Sequence, residues 1–475
     1  MQEAKKLGFI EDYRLLFKTS TRELWIIYFL KFAESFAFFT TLTIMVLFLS
    51  ADLGMDDGQA ANTYGMWALC WGLLVFFSGT FSDVIGIKKA LLLGFISLTV
   101  GRFVLAAFSN YWVVLIIGLP LLALGQPLMI PIKSAAIKQY TTAKSRGLAF
   151  AIFYALMNFA SFLSGIILNI ILWVVKLYGV ADGELVTKKG VDVTRYVITV
   201  FPGFTLSSYQ ILFAITAVIT LIGIFIIVFF MRNKSYAEED IETGLAEDVP
   251  TLVAFGRKIA EAVTKLTFWR FMVLLGFVAL VKFIFTHIHI TVPKFMLREI
   301  GPAALFGVMI SINGFMLMLL PPLISNYLKR FKALTTIIIG TIISAVSLLF
   351  LTVDYSYYEG IVKILPWDFH EVYVPIVLFL IVFSIGEAIW NPKLYEYTAN
   401  IAPKGQESTY MALSCLPWYL GKPLAAWFSG LLLIKYCPET GERNSQMMWL
   451  VIALMTFAAP VLILTFRKFI TKKDD

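Results

Sequence analysis

The sequence predicts an all-α integral membrane protein with twelve transmembrane helices in two six-helix bundles and both termini in the cytoplasm. Three observations lead there. Hydrophobic residues make up 59% of the chain, charged residues only 15%, and the mean hydropathy is +0.82, outside the range of soluble domains. Apolar runs long enough to cross a hydrocarbon core of about 30 Å, roughly 20 residues as a helix, recur from end to end without the alternation of outer-membrane strands. Short basic loops alternate with poorer ones. Lys88–Lys89, Lys144–Arg146, Arg232–Lys234, Lys329–Lys332 and Lys404 fall on one side with both basic termini, and the acidic "SADLGMDDG" falls on the other. An excess of lysine and arginine marks the cytoplasmic side.

The N-terminal segment, 1–22, is charged and amphipathic, like a cytoplasmic helix rather than a cleavable signal. The first bundle, 23–231, holds spans at 23–50, 60–82, 88–109, 111–139, 146–177 and 208–231. A cytoplasmic linker follows at 232–266. Its "MRNKSYAEEDIETGLAEDVP" is the most polar internal stretch, and its "TLVAFGRKIAEAVTK" has the apolar and basic faces of a helix lying on the membrane surface. The second bundle, 267–468, holds spans at 267–292, 303–327, 332–353, 372–400, 406–434 and 445–468, and 469–475 is a cytoplasmic tail. Lys188, Lys189 and Arg195 in the 178–207 segment run against the charge rule, which longer loops obey weakly. The expected location is a plasma membrane or bacterial inner membrane.

Several function classes fall away. Cys70, Cys415 and Cys437 have neither metal-ligand spacing nor the makings of a disulfide framework. His287 and His289, at i and i+2 of a helix, do not share a ligand face, so no metal or other cofactor is expected. No Gly-x-x-x-x-Gly-Lys-Ser/Thr loop, nucleophile elbow or zinc helix occurs, which argues against an ATP-driven pump or an intramembrane enzyme. Filter-like loops and charge rings, the marks of a channel, are missing too. The +8 net charge follows topology rather than nucleic-acid binding. The expected partners are a small-molecule substrate, protons and the bilayer, with a monomer as the working unit.

Charge at membrane depth still needs an explanation. A lone charged side chain there costs about 2.5–3.5 kcal/mol on insertion scales, so such residues pair or line a wet cavity. In "KFAESFAFF", Lys31 and Glu34 stand at i and i+3 on one helix face. They form either a structural ion pair or a proton site at Glu34, tuned by Lys31 or Lys133. Glu387 lies between Gly386 and Pro392, which loosen a helix. Asn391 shares its face, and Trp390 offers an apolar wall. Glu387 reads as a substrate-binding residue, with an ion pair to Lys422 as the structural alternative. In "VKFIFTHIHITVPK", Lys282, Thr286 and His289 share a face by i, i+4, i+7 spacing. His289 is a proton carrier or plain polar lining. Arg102 reads as a snorkelling residue, and Trp418 as cavity lining. Lys31, Lys133, Lys282, Lys393 and Lys422 outnumber Glu34, Glu387 and Glu396, which makes a shared cavity electropositive.

Between spans two and three, "GTFSDVIGIKK" resembles the Gly-x-x-x-Asp-x-x-Gly-x-Arg/Lys-Arg/Lys loop of the major facilitator superfamily. The six-linker-six layout is also similar to that family. The resemblance makes Gly79, Asp83, Gly86, Lys88 and Lys89 gating residues. The glycines permit close approach and a tight turn, and Asp83 caps a helix or pairs with a loop cation as the halves rock. A faded copy, "PPLISNYLKRFK", has Pro322 for the first glycine and Asn326 for the aspartate, and follows span eight as an internal repeat requires.

Three stretches are similar to the proton-coupled oligopeptide transporters. "ESFAFF" resembles the first-helix signature at Glu34 and Phe36, with Lys31 at a glutamate position and Ser35 at the arginine. "FYALMNFASFLSG" resembles the fifth-helix signature at Asn158 and Ser161, and "GEAIWNPKLYEYTANIAPK" the tenth-helix segment at Glu387, Pro392 and Ala402–Lys404. "SINGF", around Asn313, is a weaker echo of the eighth helix. The fourth-helix lysine position holds Ile130, with Lys133 one turn on. In that family the first-helix cluster couples protons, its arginine holds the peptide carboxylate, and the tenth-helix glutamate meets the amino group. The expected coupling residues are therefore Glu34, Lys31 and His289. The expected substrate residues are Glu387, Lys133, Asn158, Lys282, Asn313, Trp390, Asn391 and Trp418. The function expected is proton-coupled uptake of a small peptide-like or amino-acid-like solute by alternating access. Its rivals are a carrier of an anionic metabolite and a non-transporting receptor or scaffold on the same fold.

Overall fold

The computed structural model describes residues 14, 16–18, 20–141, 145–188, 191–232, 263–328, 330–364, 370–401, 410, 414 and 416–471. Long apolar segments with no water to bond their backbone must close their hydrogen bonds internally, and helices do so. Among the described residues the chain forms α1 (Arg22–Ala51), α2 (Asp57–Ile85) and α3 (Ile87–Ala107). Next, α4 runs from Tyr111–Val113 through a π turn, Val114–Gly118, into Leu119–Gln139. It is followed by α5 (Arg146–Tyr178) and α6 (Ser208–Phe230). The second half comprises α7 (Leu266–Glu299), α8 (Phe306–Leu328), α9 (Ala333–Ser347, with a 3-10 tail Leu348–Thr352), α10 (Tyr373–Ile401), α11 (Leu416–Tyr436) and α12 (Ser445–Thr465). Among the described residues, ten helical segments are long and apolar enough to cross a bilayer.

Two departures from the sequence reading have physical causes. Span seven was expected to stop at 292, before Pro293, but α7 continues to Glu299. A proline removes one helical hydrogen bond and crowds the preceding turn. Tertiary contacts on both sides of Pro293 hold this helix together: Thr291 with Ser429, and Lys294 and Arg298 with Asp57. The 178–207 segment is not a plain loop. It forms an antiparallel sheet, β1 (Val180–Lys188), β2 (Val191–Phe201) and β3 (Phe204–Ser207), in the order β1-β2-β3. The β-branched run of β2 suits a strand, and Gly203, at φ +83°, makes the β2–β3 turn. Residues 251–262 of the linker's amphipathic stretch lie outside the described residues.

The halves meet through α2 on α11, α5 on α8 and α1 on α7. Where α5 crosses α8, a Cβ on Gly165 or Gly307 would overlap the other's carbonyl oxygen, so only glycine allows this backbone approach. Nearby, Ser311 Oγ donates to Phe162 O at 2.7 Å. Asn169 Oδ1 of α5 accepts from Val308 N at 2.7 Å and Nδ2 donates to Ala304 O at 3.4 Å. A side chain of one half thus caps the first turn of a helix in the other. These contacts gather toward the end of the bundle opposite the two termini.

Candidate functional site

In the first half, Glu34 is buried on α1 and both of its carboxylate oxygens are engaged by α4. Gln126 Nε2 donates to Oε1 and Lys133 Nζ to Oε2, each at 2.6 Å. The Lys31–Glu34 pairing suggested by helical spacing does not form. Lys31 turns toward α5 instead, with its ammonium 4.7 Å from the centre of the Phe153 ring, a favourable cation–π placement. Arg102 corrects a second expectation: it lies late in α3 and is 1% exposed rather than snorkelling to a surface. Its charge is felt by both Glu34 and Lys133. Its Nε and Nη1 have no hydrogen-bond partner among the described residues.

In the second half, Glu387 Oε2 accepts from Asn313 Nδ2 of α8 at 3.2 Å, and the same amide donates to Ser384 Oγ at 3.0 Å. Glu387 therefore bonds to an amide, not to Lys422. Lys282 of α7 lies near enough to act on it electrostatically, and holds its ammonium 5.7 Å from the Trp390 ring. Across the interface, the Tyr154 phenol of α5 lies within electrostatic reach of Glu387. One turn on, Asn158 Nδ2 donates to Tyr154 O at 3.1 Å, and the Asn158 backbone lies against Gly314, beside Asn313. Glu387, Asn313, Lys282, Tyr154 and Asn158 thus converge from four helices and both halves.

Other expected residues fall elsewhere. His289 Nδ1 lies 3.0 Å from Thr43 Oγ1, across the α1–α7 contact, with its ring stacked near Phe39. His287 faces α11 through Thr291. Lys422 lies over the rings of Trp71 and Phe38, at 4.4 and 5.8 Å from their centres. Trp390 backs onto Gly340 of α9 and is buried, and Asn391 Oδ1 has no hydrogen-bond partner among the described residues. Lys393 is taken by Glu396 at 2.7 Å. The Trp418 and Asp83 side chains and the surroundings of Gly79 lie outside what the structure describes. Gly86 adopts φ +82°, as a tight turn between α2 and α3 requires. Lys88 Nζ donates to Met231 O at 2.6 Å and Val228 O at 3.4 Å, closing the carbonyl end of α6; Lys89 is exposed.

Sequence reasoning missed a cluster at the end opposite the termini. Asp57, at the start of α2, accepts from Lys294 Nζ and, at 2.6 Å, from Arg298 Nη2 of α7. Lys294 also donates to Ser50 Oγ at 2.6 Å, and Arg298 to Cys437 O at 2.5 Å and to Glu439 at 3.2 Å. The available signal was Lys294 and Arg298 at i, i+4 opposite the acidic "SADLGMDDG" loop.

The comparisons with known proteins agree with this architecture. The sequence model of the Major Facilitator Superfamily matches residues 25–357. An uncharacterized MFS-type transporter of Bacillus subtilis, YqjV, is 23% identical over 398 residues, covering 83% of this chain and 82% of that one. A dipeptide and tripeptide permease A of Chromobacterium violaceum is 25% identical over 173 residues, covering 36% of this chain and 34% of the permease. Among solved structures, a POT family transporter in complex with 5-aminolevulinic acid superposes with a TM-score of 0.65 at 17% identity, covering 95% of this chain and 97% of that one. A peptide transporter POT in complex with sulfate superposes at 0.66 and 16%, covering 97% and 98%. At these identities the structural likeness shows the fold. Taken with the family match, it places this chain, a multi-pass integral membrane transporter and not an enzyme, in the major facilitator superfamily.

Proposed function

We propose that the chain is an alternating-access secondary transporter for proton-coupled uptake of a small peptide-like or amino-acid-like solute, working as a monomer with both termini in the cytoplasm. One observation carries the reading. Glu387 holds a carboxylate at the meeting of the two halves, tethered among the described residues through an amide, with Lys282 nearby and Tyr154 and Asn158 opposite. A charge is retained at membrane depth where it pairs or faces a wet pathway. A carboxylate bonded to a neutral amide can exchange that partner for a substrate ammonium. The Glu34–Lys133–Gln126 cluster and Lys31 supply the opposite pole, and Glu34 and His289 are the coupling candidates. The permease of Chromobacterium violaceum and the transporter bound to 5-aminolevulinic acid support solutes that carry both an amine and a carboxylate.

The test is uptake of a dipeptide into proteoliposomes under an inward proton gradient. Glu387→Gln should abolish uptake while the protein still inserts, because glutamine accepts from Asn313 but offers no charge to an ammonium. Undiminished uptake would remove Glu387 from the site. A second reading, an anionic metabolite, is favoured by the three cations Lys31, Arg102 and Lys133 around the single carboxylate Glu34. Thermal stabilisation by organic anions but by no dipeptide would select it.

A further inference from the structure

The segment that follows α9 has three faces, and one of them fits a lipid surface. After the 3-10 tail ends at Thr352, the chain forms a short 3-10 turn, Tyr355–Tyr358, that passes directly into a helical turn, Glu359–Val362. Tyr355 and Tyr358 point into the protein. The Tyr355 ring packs edge-on against Phe295 of α7, and the Tyr358 hydroxyl donates to Phe350 O at 3.0 Å, satisfying a carbonyl at the end of α9. Tyr357, Ile361 and Ile364 point the other way, 78%, 47% and 85% exposed. All three are exposed while Tyr355 and Tyr358 are buried, so they share the outer stripe of the segment. Ser356, Glu359 and Lys363 make the third face, where Glu359 and Lys363 pair at 3.3 Å, both exposed.

We propose that residues 353–364 form an interfacial float: Tyr357, Ile361 and Ile364 insert into the headgroup–acyl boundary, while Glu359 and Lys363 stay in water. Two features select lipid as the occupant. Along the chain the stripe follows directly on apolar residues exposed on α9 and its tail, Ile339, Ile342, Val346, Leu349 and Val353. The segment also begins where a membrane-crossing helix ends, at the depth where tyrosine is favoured. A water-exposed loop has no physical reason to leave a tyrosine and two isoleucines uncovered on one side, whereas an amphipathic turn at the interface lies in this way. The float lies on the connection from α9 to α10, the helix that carries Glu387.

Site-directed fluorescence on the full chain in liposomes tests this. With Cys70, Cys415 and Cys437 replaced by serine, single cysteines at 357, 359, 361, 363 and 364 are labelled with an environment-sensitive nitrobenzoxadiazole probe. The expected result is blue-shifted emission, quenched by doxyl groups high on the acyl chain, at 357, 361 and 364. Labels at 359 and 363 should emit to the red and be quenched by aqueous iodide instead. Iodide quenching at all five positions overturns the proposal. So does shielding of the stripe from both quenchers, which would mean that protein covers it. If the serine background does not fold, photocrosslinking of the unmodified chain with diazirine lipid, read by mass spectrometry, replaces it; adducts missing from 357–364 would refute insertion.

Discussion

Asp57 offers the sharpest test of how the halves are held. Its buried carboxylate, on α2, is the one acceptor shared by Lys294 and Arg298 of α7, so Asp57→Asn leaves two buried cations facing a neutral amide. Removing one partner of a buried ion pair costs about 3–5 kcal/mol, because the charge left behind stays desolvated. Asparagine keeps one acceptor oxygen, and the halves can part to hydrate the cations. The low end applies, about 3 kcal/mol, or roughly a hundredfold in the ratio of closed to parted states. Glu439→Gln is the control: its contact with Arg298 is longer, at 3.2 Å, and exposed, so about 0–1 kcal/mol is expected. Gly58 and Ile434 face each other beside the cluster, so cysteines at both positions, in a chain without Cys70, Cys415 and Cys437, report closure through a short bifunctional thiol reagent. Cross-linking should drop sharply in Asp57→Asn and hold in Glu439→Gln. Equal cross-linking in parent and Asp57→Asn would refute the assignment of closure to this cluster.

Two further variants probe the interior. Glu34→Leu and Lys133→Met should each destabilise the protein by about 3–5 kcal/mol, and the double variant should recover most of that loss, because an ion pair replaced whole by apolar groups is close to neutral. Thermal unfolding in detergent reads the cycle, and additive losses would mean the two residues do not depend on each other. Asn169→Ala should remove the cap that α5 places on α8, at a cost of about 1 kcal/mol. An effect no larger than that of Asn400→Ala, at an exposed position, would show the cap to be idle.

The helices were legible because a bilayer reduces the problem to length and hydropathy. Expected spans at 88–109, 146–177 and 208–231 became Ile87–Ala107, Arg146–Tyr178 and Ser208–Phe230. The sheet at 180–207 was less visible, since in a loop of a membrane protein a β-branched run competes with no strong periodic signal. Side-chain partnerships were the hardest part. Spacing on one helix offers Lys31 as the neighbour of Glu34, yet Glu34 bonds to residues 92 and 99 positions away. Which of two nearby cations a carboxylate takes depends on helix rotation and crossing, and neither is written in one helix's pattern. Glu387 was reached from its charge between Gly386 and Pro392 and Asn313 from the eighth-helix resemblance, each without the other. That they touch, and that Tyr154 and Asn158 stand opposite, is a property of the packing.

The placement of charge explains how such an interface can move. Among the described residues, Glu34 pairs with Lys133 inside the first half and Lys393 with Glu396 inside the second, while the ion pairs that bridge the halves are those of Asp57. An ion pair broken at mid-membrane would leave both charges in a low-dielectric medium, and that penalty would lock the transporter. One broken at the end of the bundle is rehydrated as it opens, so most of its cost is returned. At membrane depth the described cross-half contacts are gentler: Thr43 with His289, Ser311 with Phe162 O, and the Lys422 ammonium on the faces of Trp71 and Phe38. Glu387 fits the same logic. Its bond is to an amide of its own half, so the halves can separate without stripping it of that partner.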